Sequence, residues 1–459
     1  MNGGATLVPA TVEGRSQNYK RLSVAFGQRF FLLLLIGLVW LGPAFIQPQF
    51  AYAILAWDAI VLLAWLADLT RLPRPEQLLV RRSWRAPVGL SVPAEVEITL
   101  ENSASTGVHA TIVDDVPPEL RTEVPEVQLS APAHGEASAS YEIQPGRRGD
   151  VTLGDAYISY EGPLRLARRW ARAGIAQTVR VYPNLEEARR HSIYLVRSRQ
   201  VQLEKRYTRI RGAGREFESL REYRQGDDFR NICWTASARR GKLVSRVYQI
   251  ERSQTIWIVV DCGRLMRARV GGLSKLDYAA NAGLSLAQVA LYSGDRVGLL
   301  AYGRDVRHRL LPATGGTHLR HVVEALALAR EEGSEADHLR AAGVLRGTQK
   351  RRSLVVWLTD LAETATTPEV VEAAAQMMPT HLVLFVAMGQ PDLETLAAQR
   401  PENVGQMFQT TAAQELGLRR ELLLARLRER GVLAMEVNSG VLSTALVNSY
   451  LEVKERNRL

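Results

Sequence analysis

Sulfur chemistry is almost absent: the 459 residues hold two cysteines, Cys233 and Cys262, and no C-x-x-C. That excludes a disulfide framework and a thiolate zinc site, and makes a reducing compartment the simpler setting. Nucleotide and hydrolase signatures are missing too: there is no H-E-x-x-H and no G-x-S-x-G. Gly241-Lys242 lacks the Ser/Thr and the earlier Gly of a phosphate cradle, and Phe217 stands where Gly212-x-Gly214 would need its third glycine. His318 and His321 are spaced to share a helix face with Glu324, but with no third ligand they read as surface histidines. Charge is missing over one long stretch, because between Phe30 and Leu69 only Asp58 and Asp68 are formally charged.

That stretch divides into two apolar runs. Phe30 to Gln47 would rise ~27 Å as a helix and Phe50 to Leu69 ~30 Å, each suited to a bilayer core. Pro48, flanked by Gln47 and Gln49, breaks them at a turn without basic residues. Lys20, Arg21 and Arg29 precede the pair, and Arg71, Arg74, Arg81, Arg82 and Arg85 follow it. The positive-inside bias then makes a helical hairpin with both chain ends cytoplasmic, in a multi-pass protein of the inner membrane. A secretory signal ending at Ala51-Tyr52-Ala53 is the rival, but its apolar core is too long and a second run follows at once. Asp58 either faces a partner helix or marks a span shifted toward the headgroups.

What remains is globular. An apolar fraction of 46% and a charged fraction of 23% exclude wholesale disorder, and the length suits two or three domains. The net charge of +10 suggests an anionic surface. Much of it flanks the apolar runs, and no aromatic-basic interleaving marks a nucleic-acid platform, so lipid is the expected partner.

From about Ala86 the period becomes two. Glu95 to Glu101, Ala137 to Ile143, Val151 to Leu153, Tyr157 to Tyr160 and Thr178 to Tyr182 read as short strands between turn residues. An antiparallel β-sandwich over 86–185 follows. No catalytic set lies in it. From about Thr255, solid apolar runs (Ile256 to Val260, Leu354 to Leu358, His381 to Val386) alternate with amphipathic helices such as Lys275 to Tyr292. This predicts a mainly parallel, Rossmann-like sheet covered on both faces, with ligands beyond its carboxyl ends. Asp261 and Asp360 fall at such ends, and Gly315-Gly316-Thr317 lies in a loop between them.

These residues resemble the von Willebrand factor A fold, whose metal-ion-dependent adhesion site uses D-x-S-x-S, a loop Thr and a second Asp. The resemblance implies metal ligation by Asp261, Thr317 and Asp360, with Mg²⁺ the implied cofactor. Gly263 and Leu265 replace both serines, which makes the site a weakened one. Helix capping by the two aspartates, or pairing with Arg264, is the alternative.

A longer signature precedes this region. Gly214-Arg-Glu216-Phe-Glu-Ser-Leu-Arg221-Glu-Tyr223 continues as Arg224-Gln-Gly226-Asp227-Asp228-Phe-Arg230-Asn-Ile-Cys233-Trp234 and ends at Ser237-Ala-Arg239-Arg-Gly241. It resembles the bacterial family known as domain of unknown function 58, with Cys233 where that family usually has Asp and Thr235 where it often has Lys. The resemblance implies a chain built as a cytoplasmic tail over 1–29, two transmembrane helices over 30–70, a sandwich over 86–185, a motif-bearing linker over 186–252 and an A-like domain over 253–459. It also implies association with a MoxR-type AAA+ ATPase, as a non-enzymatic adaptor or scaffold in assembling other proteins. A metal-dependent hydrolase using Asp261 and Asp360 is the alternative. The motif itself reads either as an internal strut or as a docking epitope, with Trp234 and the arginines as anchors.

Overall fold

The structure is a computed structural model, and it describes residues 7–20, 23–47, 49, 51–190, 216–224, 227–249, 253–361 and 367–456. The chain divides into two units, Met1–Tyr182 and Pro183–Leu459.

The first unit is sheet-rich and antiparallel. Its strands are β1 (Val12–Asn18), β2 (Val24–Phe26), β3 (Leu78–Trp84), β4 (Ala94–Asn102), β5 (Val108–Asp114), β6 (Glu126–Ala131), β7 (Gly135–Ile143), β8 (Gly149–Leu153), β9 (Ala156–Glu161), β10 (Ala167–Ala173) and β11 (Gln177–Val181). They run β6-β5-β9-β10-β1-β3-β4-β7, with β2 on β10 and β8 paired to β11. The joint is β1. Its first half pairs with β3 (Val12↔Arg82) and its second with β10 (Asn18↔Ala171), so one strand serves both halves of the sandwich. The segment expected to be a free tail is therefore partly structural. Its polar residues, with Gly14 among them, hid the strand, because backbone pairing rather than side-chain burial holds it.

Alternation on β3, β4 and β5 buries Leu78, Val80, Ile98, Leu100, Val108 and Ile112 in one core. Within it lies an ion pair. Arg82 and Asp114, both fully buried, are joined through Nε and Oδ2 at 2.9 Å. Tyr141 donates to the same carboxylate, while Arg82 also donates to the carbonyls of Ile175 and Gly154. A buried charge survives only with such saturation. Burial, with the Asp114 carboxylate beside it, drives the Tyr141 phenol far above its usual range.

Between β2 and β3 come the apolar helices α1 (Gln28–Gly37), α2 (Leu41–Ile46) and α3 (Ala51–Arg71). The first run is thus not one helix, since a 3-10 turn over Leu38–Trp40 interrupts it. Among the described residues, only Ala51–Arg71, 21 residues, is long and apolar enough to cross a membrane. The helices α1 and α3 lie antiparallel: Phe30 meets Trp65 edge-on, and the Trp57 indole donates to the Leu33 carbonyl at 2.9 Å. Gly37 permits this approach, because a Cβ there would come within 2.5 Å of Trp57. Leu55, Ile60, Leu63 and Leu66 remain exposed on α3. Asp68, deeply buried, accepts from the amides of Leu166 and Ala167, each at 3.0 Å, and so fastens the end of α3 to β10.

After a helical stretch over 185–190, the described part of the second unit continues with a hairpin of β12 (Glu216–Glu222) and β13 (Val244–Gln249) around the short helix α4 (Trp234–Arg240). That stretch is a folded element, not a linker. The main sheet follows, from β14 (Thr255–Asp261) through the two-residue pair β15 (Arg269–Val270) and β16 (Leu273–Ser274) to β17 (Arg296–Tyr302), β18 (Val306–Ala313), β19 (Leu354–Thr359), β20 (Leu382–Gly389) and β21 (Leu433–Asn438). Its order is β18-β17-β14-β19-β20-β21. All pairings are parallel except β17 with β18, so the sheet is mixed. The helices are α5 (Lys275–Tyr292), α6 (Gly316–Leu328), α7 (His338–Thr348), α8 (Thr367–Met377), α9 (Pro391–Ala398), α10 (Val404–Glu429) and α11 (Leu442–Glu455). Ser274 and Asp277 cap α5 reciprocally, which starts the helix at Lys275. Because β17 and β19 flank β14 on opposite sides, the connection direction reverses at β14. A crevice opens there beyond the carboxyl ends.

Candidate functional site

Asp261 closes β14 and Thr359-Asp360 closes the neighbouring β19. Sequence reasoning brings these two aspartates to one edge, and the sheet does so. Each is already engaged. Asp261 accepts from the Gly263 amide at 2.7 Å and from the Thr359 hydroxyl at 2.6 Å. Burial raises its pKa, against the opposing pull of His338. Asp360 Oδ2 lies 2.6 Å from Lys275 Nζ, and its Oδ1 lies 3.0 Å from Arg420 Nη1 while accepting from the Leu361 amide. Lys275 is fully buried and Arg420 nearly so; Arg420 also reaches Glu436 and the carbonyls of Leu361 and Met388.

Thr317 is elsewhere. Antiparallel β18 carries the chain back to the amino edge of the sheet, where Ala313 pairs with Val297, before α6 begins. Thr317, exposed, opens α6. The next residue, His318, is buried with its Nε2 2.6 Å from the Val297 carbonyl. It is a packing anchor, while His321 stays exposed. Asp261 pairs instead with Tyr302, at the far end of β17, ~16 Å along the strand. Val306–Ala313, with Arg307, His308 and Arg309 in it, lacks the apolar run of the other strands, so its reversal of the chain leaves no mark in the sequence.

The loop that does border Asp261 is 329–337. Glu332 donates its amide to the Cys262 carbonyl, Arg264 donates to the Ser334 carbonyl, and a Cβ on Gly263 would meet Ala336 at 2.9 Å. Where the adhesion motif needs a serine, the backbone here needs glycine. Beyond the loop, the Trp357 indole donates to Tyr302 at 2.6 Å, and Tyr302 lies 2.8 Å from His338 Nδ1. Burial lowers the His338 pKa and raises that of Tyr302. Tyr302 thus links the Trp357 indole to the His338 ring.

A divalent cation does not fit this donor set. Both serine hydroxyls are absent, the threonine stands at the other edge, and two cations already neutralise Asp360. No group of three or more His, Cys, Asp or Glu side chains able to hold a metal occurs among the described residues. The adjoining cavity, about 600 Å³, is lined by Arg264, Arg267 and Arg420 and walled by Leu265, Leu361, Leu393 and Leu416.

The signature motif forms a second constellation. Asp227 pairs with Arg221 at 2.7 Å, accepts from the Arg224 amide at 3.0 Å, and presents its carbonyl to the Tyr223 hydroxyl at 3.3 Å. The Arg224 amide bond and the Arg221 guanidinium together hold its pKa below the usual carboxylate value, against some desolvation. Asp228 caps the turn at Phe229–Asn231 by accepting from the Arg230 amide. Cys233 sits at the N-cap of α4, its thiol lowered to about 7 chiefly by the Thr235 hydroxyl. Gly241, with φ of +63°, ends that helix in the left-handed region. Trp234 and Phe229 point outward, 68% and 72% exposed, and Arg230 and Arg239 are exposed beside them. Glu216 begins β12, while Gly214 and Gly226 lie outside the described residues.

Residues 219–407 match the family described as Protein of unknown function DUF58. The matched stretch takes in most of the signature motif, both sheet-edge aspartates and the helix bearing Lys275. Among solved structures, the chain is similar to the conserved hypothetical protein BatB from Bacteroides thetaiotaomicron, at 15% identity and a TM-score of 0.29 over 44% of this chain and 100% of that one. An aerotolerance-related membrane protein from Bacteroides fragilis gives 15% identity and a TM-score of 0.32 over the same shares. An uncharacterised membrane-spanning protein from Vibrio fischeri gives 15% and 0.19, over 44% of this chain and 99% of that one. No curated protein matches the chain.

Proposed function

We propose that this DUF58 chain is a membrane-anchored, non-enzymatic interaction scaffold or adaptor. It works at the cytoplasmic face of the inner membrane with a MoxR-type AAA+ ATPase, in assembly or maturation of other proteins. The observation that carries the anchoring is the pairing of β1 with β3. Those strands lie before and after the apolar helices, so both must stand on one side of any bilayer the helices enter. If Ala51–Arg71 crosses, Gln28–Ile46 has to supply the other passage, and a hairpin with two cytoplasmic ends follows. Leucines exposed along α3 favour lipid as their surroundings, and Arg29, Arg71 and Arg74 flank the helices on the side that the positive-inside bias assigns to the cytoplasm.

The docking role rests on the motif. Its acidic residues are spent internally, fixing Arg221 and the turn, whereas Trp234 and Phe229 stand in solvent beside Arg230. Aromatic and guanidinium groups on a rigid turn are the usual anchors of a protein interface. The strut and the epitope are then different side chains of one element. The hydrolase reading loses support because Asp261 and Asp360 are each saturated by protein donors. The sheet order around β14 is the part of the chain that favours a von Willebrand factor A-type domain.

Affinity purification of the full chain from membranes tests this reading. Trp234→Ala with Phe229→Ala should remove a co-eluting AAA+ ATPase while the melting temperature holds. Unchanged co-elution would sink the docking role. Tags on both chain ends that are reachable from outside intact cells would sink the topology.

A further inference from the structure

The cavity beside Asp360 is the strongest unassigned feature of the second unit. Ten residues line it: three arginines, Gln390, five apolar side chains and one carboxylate, that of Asp360. The carboxylate is already neutralised from behind by Lys275, buried and 2.6 Å away, and by Arg420 at 3.0 Å. Among the described residues, the charged groups that face solvent there are basic. Arg264 reaches only the exposed Glu335 at 3.0 Å, and exposed Arg267 makes no ion pair among the described residues. Leu265, Ala268, Leu361, Leu393 and Leu416 supply an apolar wall.

We infer that this cavity is a metal-independent receptor for an acidic peptide, in which Arg264 and Arg267 take a carboxylate side chain and the leucine wall takes its apolar neighbours. Lys275 supplies, as a permanent part of the chain, the positive charge that a divalent ion would otherwise bring to Asp360. Charge complementarity selects the carboxylate, and the apolar wall selects a peptide over a bare inorganic anion. The inference does not depend on the Trp234 face. Its failure would leave the docking role of the signature motif standing, and the reverse holds too.

Selection of random heptapeptides on the full chain in detergent micelles, with EDTA present, tests it. The expected result is enrichment of sequences carrying Asp or Glu beside Leu, Ile or Phe. A chosen peptide should lose about tenfold or more in affinity on Arg267→Glu with Arg264→Glu. It should lose as much when its acid is changed to the amide, and adding Mg²⁺ should leave its affinity unchanged. Both arginines are exposed, so these variants fold, and an unaltered melting temperature confirms it. Enrichment that appears only with Mg²⁺, enrichment of peptides without acids, no enrichment, or equal binding to the double variant would each overturn the inference. So would displacement of the peptide by inorganic phosphate at equal concentration, which would make the cavity a general anion site.

Discussion

Lys275 Nζ lies 2.6 Å from Asp360 Oδ2, with the lysine fully buried and the aspartate nearly so. The two are 85 positions apart, and their meeting gives the carboxyl edge of the sheet a cation of its own. A buried ammonium is tolerated only because the carboxylate meets it directly. Lys275→Met should leave Asp360 with Arg420 alone and cost about 3 kcal/mol, read by denaturant unfolding of the full chain. Adding Asp360→Asn to that variant should recover part of the loss.

The sandwich has its own buried pair, and the prediction there is larger. Arg82→Met would strand the Asp114 carboxylate in the core with only the Tyr141 hydroxyl for a partner. A loss of about 3–5 kcal/mol is expected. Tyr141→Phe, which leaves the ion pair intact, should cost about 1–3 kcal/mol.

Asp68 makes a different kind of join, between helix and strand. Asp68→Leu removes the acceptor for two amides and should cost about 2–4 kcal/mol, since each amide is left unsatisfied. Hydrogen exchange at the Leu166 and Ala167 amides should accelerate first, ahead of the remainder of β10. Equal exchange in variant and parent would show that the fastening is idle.

His338 predicts a pH dependence. Burial lowers its pKa, outweighing Asp261, Glu369 and Asp337, which pull the other way. The folded chain therefore binds fewer protons than the unfolded one near the free imidazole value of about 6.5. Stability rises with pH across the window between the depressed folded value and that free value, and falls as acid protonates the unfolded side chain. His338→Gln keeps an acceptor for Tyr302 and removes the titration. Its melting temperature should vary less between about pH 5 and 7 than that of the parent.

Much of the second unit was legible because its strands are solid apolar runs. Lys275–Tyr292 matches the expected helix end to end, since capping and period agree there. Asp261 and Asp360 were placed at one edge by the rule for parallel sheets. Thr317 was misplaced because Val306–Ala313, with three basic residues among eight, does not read as a strand although it pairs as one. The partnership of Lys275 with Asp360 left no local mark at all, because it arises only when α5 and β19 pack. The first strand escaped for the same reason: Val12–Asn18 carries no apolar alternation, and its place depends on Leu78–Trp84 and Ala167–Ala173.

The two ends of the helical insertion converge on a single residue. Phe26 pairs with Ala167 from one side, and the Asp68 carboxylate grips the Ala167 amide from the other. Trimming the chain from its front, the ordinary route to a soluble fragment, would discard β1, β2 and part or all of β3, and unravel the sandwich. Excising Gln28 through Ala67 and bridging the gap with a short loop would instead spare every strand. The greasy portion is thus an insert between β2 and β3, and a chain without it keeps every strand of the sandwich.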